Sequence, residues 1–437
     1  MADGRQAMKV CVFGLWHLGT VTAASLAARG FTTVGLAESA DAAATLSSGT
    51  PPLFEPGLIE LMRVGIDNGK LTFTAEAGAA VGSSDLIWVA FDTPVDENDV
   101  ADVEYVRDRV RAIFPFLRSE TVVLISSQLP VGSTRQLEQE FAASATGRNV
   151  SFACSPENLR LGSAIKAFTE PERIVIGVRD DRVRHIIAQL LSPFCDTLLW
   201  TRVESAEMLK HALNGYLATC VTFANEIANI CEKVSADMNE VEAALRLDPR
   251  VGPKAYVRAG AAFGGGTLAR DVQFLNTVAG RHQLRVPLLG SILESNAHHK
   301  GWVVRQLRSR LGELAGRRIG VLGLAYKAGT DAIRRSLAVE IIEELVGAGA
   351  AVCAFDPKVR ALPEPLASAI DVKPSVDAVF ENSDAVIIAT EWPEFLKLPF
   401  DELLSQMARP LLVDQNSFVA RQLSNVRDIE HVIGGRA

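Results

Sequence analysis

Lys210 and Asn214 stand four residues apart, one turn on a helix, so both side chains leave the same face. An ammonium and a carboxamide aimed at one oxygen stabilise the negative charge that develops when hydride leaves an alcohol carbon. Taken alone, the pair is more simply a solvated lysine and a tolerated asparagine on an exposed stripe. Glu157, on a polar turn, is a candidate base or a loop carboxylate making a structural hydrogen bond. A second locus is Gly14-Leu15-Trp16-His17-Leu18-Gly19. In a dinucleotide phosphate loop the first glycine permits a tight turn, the second lets the backbone approach the pyrophosphate, and the third permits close helix packing. Trp16 holds the second place, which leaves two readings. Either the indole packs beside a cofactor in a shifted pose, or the domain no longer binds one. The following helix still offers free amides and the positive end of a dipole to an anion, and His17 there either touches a phosphate or is packed or solvated. Glu38, about twenty residues on, is the acid expected to accept from a ribose hydroxyl and argues for NAD over NADP.

These groups need elements to hold them. Met8 to Phe13 is an apolar run closed by Gly14, and Thr20 to Ala28 then reads as a helix. Further runs are Thr33 to Ala37 before Glu38, Leu86 to Phe91 before Asp92-Thr93-Pro94, and Val122 to Ile125 before Ser126-Ser127-Gln128. Short apolar strands alternating with helices imply a parallel sheet covered on both faces, with ligands at the carboxyl ends of the strands. From Glu204 to Glu232 the period becomes helical. Met208, Leu209, Leu213, Leu217, Val221, Ile227 and Cys231 trace one face of a helix of about thirty residues, longer than most globular helices. Such a helix is expected to act as a spine and a dimer contact. A second alternating series starts at Arg318 and runs through Ala351 to Phe355, Ala385 to Ala389 and Leu411 to Val413. The expected fold class is α/β, with two Rossmann-like doubly wound domains joined by the long helix and a helical middle domain.

The 437 residues exceed one ordinary core. A net charge of −8 and 6% aromatics argue against a nucleic-acid surface. The six cysteines form no CxxC pair and read as reduced, buried thiols of a cytoplasmic protein. His298-His299 lacks a third ligand at sensible spacing, so no metal is expected. No membrane span and no signal peptide are read, and the Asp96-Glu97-Asn98-Asp99 run is taken as a solvated loop.

The ordered motifs resemble the UDP-glucose/GDP-mannose dehydrogenase family from about Met8 to Phe418. They include Leu46-Ser47-Ser48-Gly49, Phe54-Glu55-Pro56-Gly57-Leu58, Thr93-Pro94, Pro130-Val131-Gly132-Ser133, Ser155-Pro156-Glu157 and Arg173-Ile174-Val175-Ile176-Gly177. Lys210 with Asn214, Asp248-Pro249-Arg250-Val251-Gly252, Phe263-Gly264-Gly265, Gly323-Leu324-Ala325-Tyr326-Lys327, Thr330-Asp331, Arg334, Asp356-Pro357 and Thr390-Glu391-Trp392-Pro393 follow in order. The resemblance implies an NAD-binding Rossmann domain over residues 1–200, a helical dimerisation domain over 201–305 and a domain holding the nucleotide diphosphate over 306–437. It implies NAD as cofactor and a nucleotide sugar as substrate, oxidised at C6 to aldehyde and then acid in polysaccharide or glycoconjugate biosynthesis. Thr93, Gln128 and Arg334 join Gly14, Trp16, His17, Leu18, Gly19 and Glu38 as cofactor-binding candidates. Leu159, Arg250, Tyr256, Phe263, Gly264 and Lys327 join Glu157, Lys210 and Asn214 on the substrate side, Arg250 reaching a partner protomer's site.

The family captures its aldehyde on a cysteine, and Thr267 holds that place here. A hydroxyl is a far poorer nucleophile than a thiolate unless a base activates it. Asp271 keeps the family acid's place, to orient water or accept from Lys210, or else to complement a helix dipole. Gln128 replaces a threonine and Leu161 a second glutamate. Three readings follow: oxidation stopping at the aldehyde, oxidation to the acid through the aldehyde's hydrate, or a catalytically silent homologue that regulates or scaffolds.

Overall fold

The computed structural model describes residues 8–96, 101–144, 147–157, 159, 161–264 and 266–436. Glu97 to Asp99 of the acidic run, Asn158, Arg160 and Gly265 lie outside the described residues. The chain divides into two compact units, Met1–Ala212 and Leu213–Ala437.

In the first unit, β1 (Lys9–Phe13), β2 (Thr32–Leu36), β3 (Leu71–Thr74), β4 (Leu86–Val89), β5 (Val122–Ile125), β6 (Ser151–Cys154), β7 (Ile174–Gly177) and β8 (Leu198–Thr201) form one sheet in the order β3-β2-β1-β4-β5-β6-β7-β8. Successive residues of each strand feed opposite cores. Val10, Val12, Leu86, Trp88 and Leu124 pack with Leu18 and Val21 of the helix His17–Ala28 on one side. Cys11, Phe13, Ile87, Val89 and Val123 pack with Val106 and Val110 on the other. Burial on both faces explains why these strands read as unbroken apolar runs. The expected parallel sheet needs one correction: β6 meets β7 antiparallel, through Cys154 opposite Gly177. The chain order reverses between β1 and β4, and that opening at the strand ends is where a doubly wound sheet receives a ligand.

The second unit holds β9 (Arg318–Leu322), β10 (Ala351–Phe355), β11 (Asp371–Val372), β12 (Ala385–Ile388), β13 (Leu411–Asp414) and β14 (Glu430–Ile433), in the order β11-β10-β9-β12-β13-β14 and parallel throughout. Helices Met238–Leu247, Thr267–Arg281, Pro287–Lys300 and Trp302–Leu311 precede it.

The long helix runs Val203–Val234, 32 residues. The face traced by its large apolar residues is not its most buried one. Ala206, Glu207, His211, Asn214, Ala218, Thr222 and Asn225 are buried, whereas Leu209, Leu213, Leu217 and Val221 are only half-buried. Glu207, His211, Asn214 and Asn225 face inward and take hydrogen bonds there, with alanines packed between them. Tyr216, Phe223, Ile230 and Val234 stay exposed. All six cysteines are free and buried, and burial pushes the Cys11 thiol up to about 12. Among the described residues no helix is long and apolar enough to cross a membrane.

Asp356, at the end of β10, is the main polar anchor of the second sheet. Its carboxylate accepts from the backbone N–H of Leu324, Ala325, Lys358 and Val359 and from Trp392 Nε1, at 2.7 to 3.0 Å. Burial alone raises such a carboxyl, and the backbone donors outweigh it and hold the group below its ordinary value. A depressed folded value means that the stabilisation is present above the unfolded pKa and is lost as pH falls through the folded one. Asp356→Ala leaves several buried donors unpaired and is expected to cost about 3 kcal/mol or more at neutral pH. Urea denaturation measures this, and the gap to the parent should shrink in acid.

Candidate functional site

At the β1 end, Gly14 turns with φ +102°, and a Cβ there would stand 2.7 Å from the Phe91 nitrogen. A Cβ on Gly19 would stand 1.9 Å from the Gly14 carbonyl oxygen. The two outer glycines of the loop are therefore sterically required, while Trp16 adopts φ −84° and ψ −152°, which any residue tolerates. No side chain caps the helix His17–Ala28, so its first amides face the loop. The half-exposed indole of Trp16 forms a wall of a cavity of about 390 Å³ together with Gly14, Glu38, Phe91, Asp92 and Tyr105. Trp16 thus lines the groove and leaves it open. Leu18 is buried in the core, which restricts it to its backbone as a cofactor contact.

Glu38 Oε1 accepts from the Tyr105 hydroxyl and from Arg109 Nε, both at 3.2 Å. The Arg109 guanidinium lies 3.5 Å above the Tyr105 ring. Burial first, then the neighbouring Glu38 carboxylate, raises the Tyr105 phenol above its ordinary value, so it remains a donor. Oε1 is thereby fixed, and Oε2 has no partner among the described residues. A glycine cradle, an uncapped helix and an acid at the β2 end suit the diphosphate and ribose of a dinucleotide. Neither Tyr105 nor Arg109 was singled out from sequence, since nothing marks them until the fold places them beside Glu38.

The reactive groups of the first unit collect at the ends of β5 and β6. Lys210 Nζ donates to the Glu157 carbonyl at 2.6 Å, and His211 Nε2 meets the Leu129 carbonyl at 2.9 Å. The Glu157 carboxylate accepts from the Leu159 backbone, so at least one of its oxygens is structurally engaged. Thr93 donates its hydroxyl to the Gln128 carbonyl at 2.6 Å, joining the loops after β4 and β5. A void of about 10 Å³ between Ser127, Gln128, Glu157, Lys210 and His211 approaches the space one water needs. Ser127 Oγ, buried beside it, has no hydrogen-bond partner among the described residues. Glu207, missed in sequence, accepts from the N–H groups of Gly132 and Thr134 at 2.7 and 2.9 Å and so fixes the Pro130–Ser133 turn.

In the second unit, Asn214 donates to the fully buried carboxylate of Asp271. Asp271 was expected to orient water or to meet Lys210, and its contact with Asn214 went unread. Thr267 is exposed in the first turn of the helix Thr267–Arg281, one turn before Asp271. Phe263 is held through both backbone groups by Asn296, at 2.9 and 3.0 Å, and Gly264 lies against the Arg335 carbonyl. Arg250 and Tyr256 are exposed, and Arg250 is paired to Asp248 at 2.7 Å. Lys327, half-buried, and Arg334, exposed, follow β9. Among the described residues no group of His, Cys, Asp and Glu could hold a metal.

Sequence profiles of the UDP-glucose/GDP-mannose dehydrogenase family match three stretches of the chain: the NAD binding domain over residues 8–195, the central domain over 204–298 and the UDP binding domain over 320–421. The UDP-glucose 6-dehydrogenase TuaD of Bacillus subtilis is 34% identical over 432 residues, covering 98% of this chain and 93% of the relative. The UDP-glucose 6-dehydrogenase of Rhizobium meliloti is 34% identical over 414 residues, with 93% and 94% covered. The structure of a UDP-glucose dehydrogenase from Pyrobaculum islandicum superposes with a TM-score of 0.87 at 29% identity over 100% of both chains. A UDP-D-ManNAc dehydrogenase from Pyrococcus horikoshii shares the fold, with a TM-score of 0.85 at 23% identity over 98% and 99%.

If Glu38 accepts from a ribose hydroxyl, Glu38→Ala should weaken NAD binding about tenfold, the worth of one charge-assisted hydrogen bond. Fluorescence titration with NADH reads this, and an unchanged Kd would remove Glu38 from the site.

Proposed function

Because the chain belongs to the UDP-glucose/GDP-mannose dehydrogenase family and is an NAD-dependent dehydrogenase, we propose that it oxidises the C6 hydroxymethyl group of a UDP-hexose without a covalent thioester. The observation that carries this reading is the pre-orientation of two donors one turn apart on the helix Val203–Val234. Lys210 is held by the Glu157 carbonyl and Asn214 by the Asp271 carboxylate. Bound NAD supplies the hydride acceptor. Lys210 and Asn214 stabilise the alkoxide oxygen as hydride departs from C6, from positions already fixed and partly desolvated. The hydroxyl proton leaves to Glu157 directly or to a water beside it. Leu159 on the first unit and Phe263, Gly264, Tyr256 and Lys327 on the second are the candidate nucleotide-sugar contacts, and Thr93 and Gln128 on the first and Arg334 on the second the candidate cofactor contacts.

Thr267 ends the usual covalent route, because no carboxylate or imidazole among the described residues is hydrogen-bonded to its hydroxyl to activate it. The product is then the 6-aldehyde, or the uronate reached through the aldehyde's hydrate. The experiment is a turnover count: NADH formed per UDP-hexose consumed is one for the aldehyde and two for the acid. Lys210→Met should lower kcat about 10²- to 10³-fold in either case. Absence of NADH across a panel of nucleotide sugars would favour the catalytically silent homologue.

The protein is proposed to act in the cytoplasm as a homodimer. Tyr216, Phe223 and Ile230, seven residues apart on one stripe of the long helix, are 60%, 49% and 56% exposed, and Val234 is 65% exposed. A row of large apolar side chains of this kind is stabilised by a two-fold copy of itself. Arg250, held at the surface by Asp248, is then available to the partner protomer's sugar site. Phe223→Asp places a charge in that contact and should convert a dimer into monomer in sedimentation velocity. A parent and a variant that sediment identically would exclude this stripe as the interface.

A further inference from the structure

Glu55 is 2% exposed and lies on the turn before the helix Leu58–Asp67, remote in sequence from every group invoked so far. Its Oε2 receives His17 Nε2 at 2.9 Å and the Gly162 N–H at 2.7 Å, and its Oε1 receives the Ala164 N–H at 2.8 Å. His17 is the first residue of the helix that follows the glycine turn. Gly162 and Ala164 end the loop that carries Glu157 and Leu159. One buried carboxylate therefore bonds the cofactor loop on one side and the backbone of the sugar loop on the other.

We propose that Glu55 is a positioning residue that couples dinucleotide binding to the order of the sugar loop. The inference rests on the dehydrogenase reading above. A pyrophosphate seated on the first amides of the helix His17–Ala28 fixes the Trp16–Leu18 backbone and hence the imidazole. A fixed imidazole holds the Glu55 carboxylate, which has few other orientations in a buried site. The carboxylate in turn fixes Gly162 and Ala164, so the end of the segment that starts from Glu157 and Leu159 is set before the sugar arrives. The second ligand then meets a smaller ordering cost, and by linkage each ligand tightens the other equally. A carboxylate that only stabilised the fold would need no bond to the phosphate loop. His17 is the residue in this arrangement that belongs to the glycine turn and its helix, and its imidazole is turned to Glu55.

The test is a binding cycle with NADH and UDP-glucose, which cannot exchange hydride, so that equilibrium affinities are read. In the parent, the Kd for UDP-glucose should fall about fivefold or more when NADH is saturating, the lower end of ordinary coupling. His17→Leu removes the link and leaves Glu55 bonded to both amides, so the ratio of the two Kd values should drop to near one, whatever happens to either Kd alone. His17→Gln returns a donor at similar reach and should restore the ratio. A purely structural role would change the melting temperature of His17→Leu and leave the ratio untouched. Coupling retained in His17→Leu, or a parent ratio of one with both ligands bound, overturns the inference and leaves the dehydrogenase reading intact. Failure of the parent to bind either ligand would overturn that reading and the inference with it.

Discussion

A carboxylate taken out of water is costly unless donors replace its hydration, and this constraint organises the ligand ends of both sheets. Asp356 gathers four backbone N–H groups and an indole. Asp414, at the end of β13, gathers the N–H groups of Phe418 and Val419. Glu207 does the same for Gly132 and Thr134, and Glu55 for Gly162 and Ala164. For Asp356, Glu207 and Glu55 the charge is satisfied by turns that carry or flank residues of the proposed chemistry. Removing such an acid strands several donors at once, so the loops it holds have one strongly preferred arrangement. Irregular segments gain the positional accuracy that helices and strands obtain from their own ladders.

The long helix answers the same constraint. Its buried face carries Glu207, His211, Asn214 and Asn225, each with a polar partner. A helix with so polar an inward face gains less from apolar burial than one lined by leucine. Its stability draws on hydrogen bonds, and its bulky residues remain for the outer side. Function and surface are therefore linked along one element: the residues that serve the proposed chemistry displace Tyr216, Phe223 and Ile230 outward, where a second copy of the chain can cover them.

Much of the architecture was legible because fully buried parallel strands leave plain apolar runs closed by turn residues. The strands β1, β2, β4 and β5, and later β9, β10, β12 and β13, were all visible in this way. By contrast β3, β11 and β14 lie at or near sheet edges, are short and mix polar with apolar residues, so periodicity marked none of them. The long helix was found almost to its ends, while its most buried side, built of small and polar residues, carries no apolar periodicity by which it could be read. In the candidate site, Lys210 and Asn214 were read from their spacing together with the ordered motifs, and Glu38 from its distance from the glycine turn. The long-range carboxylate contacts that hold the surrounding turns were not. Glu55 stands 107 residues from Gly162 and Glu207 stands 75 from Gly132, and no local pattern reports contacts across such separations. Trp16 looked like an obstruction in the sequence, whereas its backbone angles show that this turn makes no steric demand for glycine at the second place.

The proposed chemistry at Thr267 follows from comparing what one field does to two groups. The first turn of a helix stabilises an anion, and a thiol placed there ionises readily. A threonine hydroxyl starts so much higher that the same field leaves it protonated, and the exposed position of Thr267 adds no desolvated base. Covalent capture therefore has no nucleophile. An aldehyde hydrate, however, still carries a C–H beside an O–H on the same carbon, as the alcohol did. Donors that stabilise the alkoxide of the alcohol stabilise that of the hydrate equally well, so Lys210 and Asn214 suffice for both oxidations. Under this proposal the extent of reaction is set by residence: an aldehyde held until water adds to C6 goes on to acid, and one released first does not.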